Sequence, residues 1–305
     1  MLIAILPLLL LMLQPPASDS SLREAEDLLL QHRYQEAIAK LGVPIQQQQQ
    51  SEEVAWLLLA RGYESLGKPG DALRTLRTGS KENPNSQRLM LSLGEILFRL
   101  KADSQEAGVV LAHAAGAMPL DPEARHYYAQ WAFLNDKEGE CATQERAALA
   151  LPGLNDLALL QMYTLLGLCE DKLDHADRAE TAFRQALNVN HRLKAFDPSS
   201  AVQFARFLRV AGRENEALQL VNEIIARSPG FGPGHLELAK HFEGGGKYTN
   251  AVEEAQRALS GEGNDDLTTR SARMILVKCY FVLGRKAESA AQQELINAAN
   301  NPRPK

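Results

Sequence analysis

The stretch from Trp56 to Pro84 constrains the fold more than any other part of the sequence. Trp56, Leu59 and Tyr63 follow one another at spacings of three and four residues, which places them on one face of a helix. Gly67 then interrupts the pattern, and the proline two residues later suits the first turn of a second helix. The stretch therefore predicts two short helices joined by a tight turn.

The second helix of this stretch carries its own stripe of small and apolar residues. Ala72, Leu76 and Gly79 recur at helical spacing, and Pro84 stops the helix. Small side chains at two of these positions let the two helices approach closely. An isolated pair of this size cannot bury both of its apolar faces, so the pattern predicts further copies beside it.

These residues resemble the tetratricopeptide repeat (TPR) family, whose W-x2-L-G-x2-Y…A-x3-F…P pattern recurs about every 34 residues. The resemblance implies an all-α fold, a right-handed superhelical solenoid of helical hairpins. The matching positions are Trp56, Leu59, Ala60, Tyr63, Ala72, Leu76 and Pro84.

Similar segments follow one another through most of the chain. Eight candidate hairpins can be counted, and five of them match the pattern closely. Ala217 and Ala251, at equivalent positions of neighbouring hairpins, are 34 residues apart, which is the family period. We therefore predict a TPR solenoid over residues 20–298 and a polar tail over 299–305.

The first 19 residues are predicted to be a signal peptide. Met1 to Leu13 is almost wholly apolar, and small residues and prolines follow it. The run is too short to span a bilayer, so no stable membrane span is expected. The alternatives are a frayed amino-terminal helix and an uncleaved anchor. Export to the periplasm or the exterior is the favoured interpretation, with the mature chain beginning near Ser18.

Composition and motifs favour a non-catalytic protein. The formal net charge of −5 carries no signature of nucleic-acid binding. No zinc motif occurs among the seven histidines, and no residue is marked as a nucleophile. Gly62-x4-Gly67-Lys68 resembles a phosphate-binding loop, but Pro69 stands where that motif needs Ser or Thr. We expect no enzyme activity, no cofactor and no metal.

Three cysteines leave two interpretations open. Cys169 and Cys279 occupy the same position of their respective hairpins, which is typical of small buried side chains. The alternative is a disulfide between Cys141 and Cys169 in an oxidising compartment.

The resemblance also implies where a partner binds. In the TPR family the first helices line a concave groove, with the second, fifth, ninth, twelfth and thirteenth positions of each repeat facing it. In the amino-terminal half these predicted peptide-binding positions are apolar or aromatic, and in the carboxy-terminal half they are basic. They include Leu57, Leu91, Phe98, His126 and Phe133 in the first half, and Arg206, Arg209, Lys240 and Lys278 in the second.

The predicted function is that of an exported scaffold that binds a peptide or helix of another protein. If the basic positions form a stripe, the bound segment of that partner is expected to be acidic. A solvated surface with no partner is the alternative for that stripe. Two other functions stay open: a self-associating structural module of the cell envelope, and a carrier that holds a small ligand in the groove. The oligomeric state does not follow from the sequence.

Overall fold

The computed structural model describes residues 17–46 and 53–300 and confirms the all-α fold class. The described residues contain sixteen helices and no β-strand. In chain order the helices are α1 (Ala17–Leu30), α2 (Tyr34–Gln46), α3 (Glu53–Ser65), α4 (Pro69–Glu82), α5 (Gln87–Leu100), α6 (Gln105–Ala117), α7 (Pro122–Leu134), α8 (Glu138–Leu149), α9 (Asp156–Lys172), α10 (Ala176–Arg192), α11 (Pro198–Val210), α12 (Glu214–Arg227), α13 (Gly232–Gly244), α14 (Tyr248–Ser260), α15 (Asp266–Val282) and α16 (Lys286–Asn300).

The chain divides into two compact units between Ala148 and Leu149. Unit 1 contains α1 to α7 and nearly all of α8, and unit 2 contains α9 to α16. Odd-numbered helices are the first helices of the predicted hairpins, and even-numbered helices are the second.

The hairpin predicted from residues 56–84 is present as α3 and α4. Trp56, Ala72 and Leu76 are buried in one cluster, as their spacing requires. Gly67 adopts a φ of +68°, which a residue with a Cβ avoids, and it makes the turn between the helices. A Cβ on Gly79 would lie 2.7 Å from Cγ of Trp56, so the close approach of the helices depends on this glycine.

A cluster of phenylalanines forms the core of unit 2 where α10 meets α11. The ring centroids of Phe183 and Phe204 lie 5.7 Å apart, and those of Phe183 and Phe207 lie 5.4 Å apart. All three rings are buried. Because these rings hold one side of α11 against the core, the opposite side of α11 carries its polar residues.

Some predicted features lie outside the described residues: positions 1–16 of the predicted signal peptide, positions 47–52 of the predicted solenoid, and positions 301–305 of the tail. The remaining part of the predicted leader, 17–19, opens α1. Across the part of the chain that is described, none of the helices combines the length and the apolar character that a membrane span requires.

Candidate functional site

The four basic residues predicted in the second half all lie on first helices of unit 2. We call them the basic wall: Arg206 and Arg209 on α11, Lys240 on α13, and Lys278 on α15. Asp197 caps α11 by accepting hydrogen bonds from the backbone N–H groups of Ser199 and Ser200. The cap fixes where α11 begins and therefore which of its side chains face away from the core.

Three members of the basic wall converge on one carboxylate, that of Glu237 on α13. Arg206 Nε lies 3.1 Å from Oε1, and Arg209 Nε lies 2.9 Å from Oε2. Lys240 Nζ donates to Oε1 at 2.7 Å. Glu237 is only 2% exposed, so these three basic side chains, and not solvent, compensate its charge.

The electrostatics of this group follow from its burial. Burial by itself would raise the pKa of Glu237, but the charge and hydrogen bond of Lys240, together with Arg209, outweigh it and lower the pKa. Burial lowers the pKa of Lys240, and Glu237 counteracts that effect. Three basic side chains therefore surround one carboxylate, and they favour its ionised form.

The fourth member of the basic wall has a different environment. The Lys278 side chain is 62% exposed, and its Nζ lies 2.6 Å from Oε1 of Glu243 on α13. The hydrogen bond with Glu243 raises the pKa of Lys278. The charge of Lys278 is therefore balanced locally, although most of its side chain stays accessible.

The structure corrects the expectation that the basic wall projects freely into solvent. The side chains of Arg206, Arg209 and Lys240 are 29%, 30% and 26% exposed, because each reaches toward Glu237. Sequence reasoning did not single out Glu237, although it stands three residues before Lys240 on the same helix. Whether these residues bind a peptide stays a prediction.

The predicted apolar and aromatic positions in unit 1 are buried or partly buried. Leu91 is buried, and Leu57, Phe98 and Phe133 are partly buried. Leu57 packs against the cluster around Trp56. A role of these residues in peptide binding stays a prediction.

His126 faces into its hairpin and is 8% exposed, contrary to its predicted exposure in the groove. Its Nδ1 lies 2.6 Å from Oε1 of Glu145 on α8, and Gln130 lies 2.7 Å from its Nε2. Glu145 is fully buried, and burial raises the pKa of its carboxyl group. Burying a carboxyl group without a hydrogen-bond partner costs free energy, so the contact with Glu145 stabilises the buried position of His126.

Unit 2 contains an equivalent pair, with the same sequence separation of 19 residues. Nδ1 of His235 lies 2.7 Å from Oε2 of Glu254, and its Nε2 lies 2.8 Å from the backbone oxygen of Pro229. Arg257 Nη1 also donates to Oε1 of Glu254 at 2.5 Å. Both ring nitrogens of His235 therefore have a polar partner inside the protein, as a buried imidazole requires.

An acidic group in unit 1 was not anticipated either. Burial raises the pKa of Glu95 on α5 to about 7, and repulsion from Glu123 on α7 adds to the effect. The same burial, with repulsion from Glu95, raises the pKa of Tyr127 to about 12. This part of unit 1 is therefore acidic as well as aromatic.

Metal-ligating side chains and thiols are the remaining groups with chemical reactivity. Among the described residues no group of three or more His, Cys, Asp and Glu side chains is placed to hold a metal ion. Cys279 is a buried free thiol, and burial raises its pKa to about 11, which makes it unreactive.

Cys141 and Cys169 are both fully buried. A disulfide between them stays an open alternative.

One cavity of about 470 Å³ lies at the last hairpin, between the start of α15 and the end of α16. It opens to solvent and is separate from Glu237. Its lining consists of Asp266, Leu267, Thr269, Arg270, Arg273, Ile296 and Ala299.

Comparison with known proteins identifies the repeat. Residues 57–124 match the family model described as tetratricopeptide repeat. No curated protein matches the chain. Among solved structures, the chain is similar to a tetratricopeptide repeat protein from Parabacteroides merdae, with a TM-score of 0.64 and 12% identity over 84% of this chain and 98% of that chain.

Two further structures have similar folds. The APC/C hetero-tetramer Cut9-Hcn1 matches with a TM-score of 0.60 and 13% identity over 85% of this chain and 56% of the other. PilW, described as a type IV pilus biogenesis factor, matches with a TM-score of 0.58 and 16% identity over 70% of this chain and 94% of the other. Identities this low show the fold alone. The chain therefore contains tetratricopeptide repeats, located by the family model at residues 57–124, and has the all-α fold of tetratricopeptide repeat proteins.

Proposed function

We propose that this protein is an exported, non-catalytic scaffold whose basic wall binds an acidic segment of another protein. TPR-type repeats typically mediate protein–protein interaction, which supports the general function. The specific observation is the arrangement around Glu237, where Arg206, Arg209 and Lys240 share one carboxylate. Within this group of four side chains three positive charges face one negative charge, a surplus of two that the nearby carboxylate of Asp265 reduces, on a chain whose net charge is −5.

The surplus charge is ordered before any partner arrives. Glu237 holds the two guanidinium groups and the ammonium group in place. These side chains therefore lose little further conformational entropy when a partner carboxylate binds. Each cation is still partly exposed and keeps donors that Glu237 does not occupy. An acidic segment would therefore be attracted from a distance and aligned by these donors.

Apolar surface next to the basic wall supplies the other part of such an interface. Val210, at the end of α11, is 75% exposed and follows Arg209 directly. Burial of exposed apolar side chains contributes affinity that ion pairs alone do not provide. The partner segment expected here is acidic with interspersed apolar residues.

The test compares two variants that remove the same charge. Arg206→Gln keeps Arg209 and Lys240 as partners of Glu237, so the fold is retained. Arg178→Gln is the matched control, because Arg178 lies on α10 of the same unit and is exposed. Reversal to Glu at the basic wall is a poorer choice, since it would place a carboxylate beside buried Glu237.

The measurement uses the partner captured from a cell-envelope extract with the wild-type protein. Its purified form is titrated against both variants at low and at physiological salt. Arg206→Gln should weaken binding about fivefold or more and reduce the salt dependence, while Arg178→Gln should leave both unchanged. Equal affinity of Arg206→Gln and wild type would refute the proposed role of the basic wall.

Export is tested separately by intact-mass measurement of the natively expressed protein. A mature species beginning near Ser18 supports cleavage of the leader, and a full-length cytosolic species starting at Met1 contradicts it.

Light scattering coupled to size-exclusion chromatography distinguishes the scaffold from a self-associating module. A ligand that co-purifies in the groove would favour the carrier.

A further inference from the structure

The cavity at the last hairpin is formed by the first turns of α15 and the last turns of α16. Asp265 fixes the beginning of α15, because its carboxylate accepts a hydrogen bond from the backbone N–H of Thr268 at 2.6 Å. Ile296, which is buried, contributes to the wall from α16. The volume of about 470 Å³ falls within the range of about 300–1,000 Å³ that is typical of small-molecule sites.

Three charged side chains of the lining lie on one side of α15. Asp266, Arg270 and Arg273 follow one another at spacings of four and three residues, which places them within about 60° of one another around the helix. Lys278, a predicted groove position on the same helix, is rotated by about 80–140° from these three at 100° per residue. The charged side of the cavity is therefore distinct from the predicted peptide-binding positions of α15.

Two of the three charges have no counter-charge within the protein. Asp266 and Arg270 make no hydrogen bond or ion pair among the described residues, although their spacing of four residues would allow one. Arg273 is partly buried, and its Nη1 donates to Oε1 of Gln292 on α16 at 3.1 Å. A guanidinium group has five N–H donors, so Arg273 keeps others for a ligand.

The charge on the α16 side does not compensate these groups. Glu294 is the acidic residue of this part of α16, and it is two residues from both Gln292 and Ile296. At helical pitch it lies on the opposite side of the helix from the cavity. The lining therefore carries two positive charges and one negative charge, and both signs are available to a ligand.

Apolar side chains form the rest of the wall. Leu267 at the edge of the cavity is 69% exposed, and Ile296 and Ala299 face it from α16. A ligand that covers Leu267 would remove apolar surface from water, which contributes about 25 cal/mol per Å².

The lining places three requirements on a ligand. Two guanidinium groups suit a carboxylate, whose two oxygens match their N–H donors. Asp266 disfavours a ligand that is only an anion and favours one that also carries a positive group. The apolar wall requires an apolar side chain. A free α-amino acid with an apolar side chain combines all three features in one small molecule.

We propose that this cavity binds a free α-amino acid with a large apolar side chain. The carboxylate of the ligand pairs with Arg270 and Arg273, its ammonium group pairs with Asp266, and its side chain packs on Leu267 and Ile296. This function is additional to the proposed protein-binding scaffold and does not depend on it, because the basic wall contributes no residue to the cavity.

The first experiment is isothermal titration calorimetry of the full chain with three related compounds. L-phenylalanine carries all three features, 3-phenylpropionate lacks only the ammonium group, and phenethylamine lacks only the carboxylate. L-phenylalanine should bind at least about tenfold more tightly than either. Arg270→Gln should weaken its binding about fivefold or more, while Arg178→Gln, which removes the same charge from an exposed position of α10, should leave it unchanged.

Asp266→Asn separates a contact with the ligand from a structural role. It should weaken the binding of L-phenylalanine and strengthen that of 3-phenylpropionate, because it removes both the attraction for the ammonium group and the repulsion of the carboxylate. Damage to the cavity would weaken both. Asp266 and Arg270 are exposed, so their replacement should retain the fold, which circular dichroism checks.

Four results would overturn the inference. They are no binding of L-phenylalanine up to about 10 mM, equal affinity for the three compounds, unchanged affinity in Arg270→Gln, and weaker binding of both acids by Asp266→Asn. Arg206→Gln should bind L-phenylalanine as the wild type does. Failure of the basic wall to bind a protein partner would therefore leave these measurements unaffected.

Discussion

Replacement of Gly108 by Ala tests how closely the helices of unit 1 pack. Gly108 is buried on α6 and lies against the ring of Trp131 on α7. A Cβ at Gly108 would lie 2.5 Å from Cη2 of Trp131 and closer still to Cζ2 and Cε2, where ordinary contacts are about 3.5–4.0 Å. The ring cannot shift easily, because it is 3% exposed and its Nε1–H donates to the backbone oxygen of Ser104 at 3.0 Å.

Two opposing effects determine the magnitude. Alanine is favoured over glycine within a helix by about 0.5–1 kcal/mol. Overpacking of a tight core costs about 1–3 kcal/mol, and the short distances here indicate the upper part of that range. Gly108→Ala should therefore lower the free energy of unfolding by about 2 kcal/mol. Gly116 is exposed near the end of the same helix, and a Cβ added there would have no neighbour within 4 Å, so Gly116→Ala should raise it by about 0.5–1 kcal/mol.

The assay is urea denaturation followed by tryptophan fluorescence. The two tryptophans of the chain, Trp56 and Trp131, both lie in unit 1, so the signal reports on that unit. The midpoint should be lowest for Gly108→Ala, intermediate for wild type and highest for Gly116→Ala. If Gly108→Ala unfolds at the same urea concentration as Gly116→Ala, the close packing of Trp131 on Gly108 is wrong.

Three further predictions concern stability and covalent structure. Ala251→Leu should destabilise unit 2 by about 1–3 kcal/mol, because Ala251 is fully buried, and an unchanged thermal midpoint would contradict that packing. Glu95 has a pKa of about 7 in the folded chain against an ordinary 4.5, so its burial costs stability progressively as the pH rises from about 4.5 to 7. Glu95→Gln should therefore be more stable than wild type by about 1–3 kcal/mol at pH 8 and equal to it at pH 4, while the exposed control Glu26→Gln should show no such difference. The alternative of a Cys141–Cys169 disulfide in an oxidising compartment is tested by peptide mapping without reduction, which would detect a linked pair and would exclude the disulfide if both cysteines were alkylated.

Local periodicity was sufficient to predict the hairpins. The spacing of Trp56, Leu59 and Tyr63 dictates one buried helical face, because 3.6 residues make one turn whatever surrounds the helix. Gly67 and Pro69 mark the turn through conformational preferences of single residues. These signals act over a few residues, so the eight hairpins and their buried alanines follow from the sequence alone.

The environment of charged residues depended on the tertiary structure. Glu237 binds Arg206 and Arg209, which lie 31 and 28 residues earlier on a different helix. His126 likewise turns inward to Glu145, although its repeat position predicts a groove residue. No local pattern encodes such pairs, because long polar side chains reach whichever opposite charge the packing of neighbouring helices brings within about 3 Å. The sequence by itself therefore determined which residues form helices and which faces are buried, and only the packed structure decided which charges are neutralised inside the protein and which stay available to a partner.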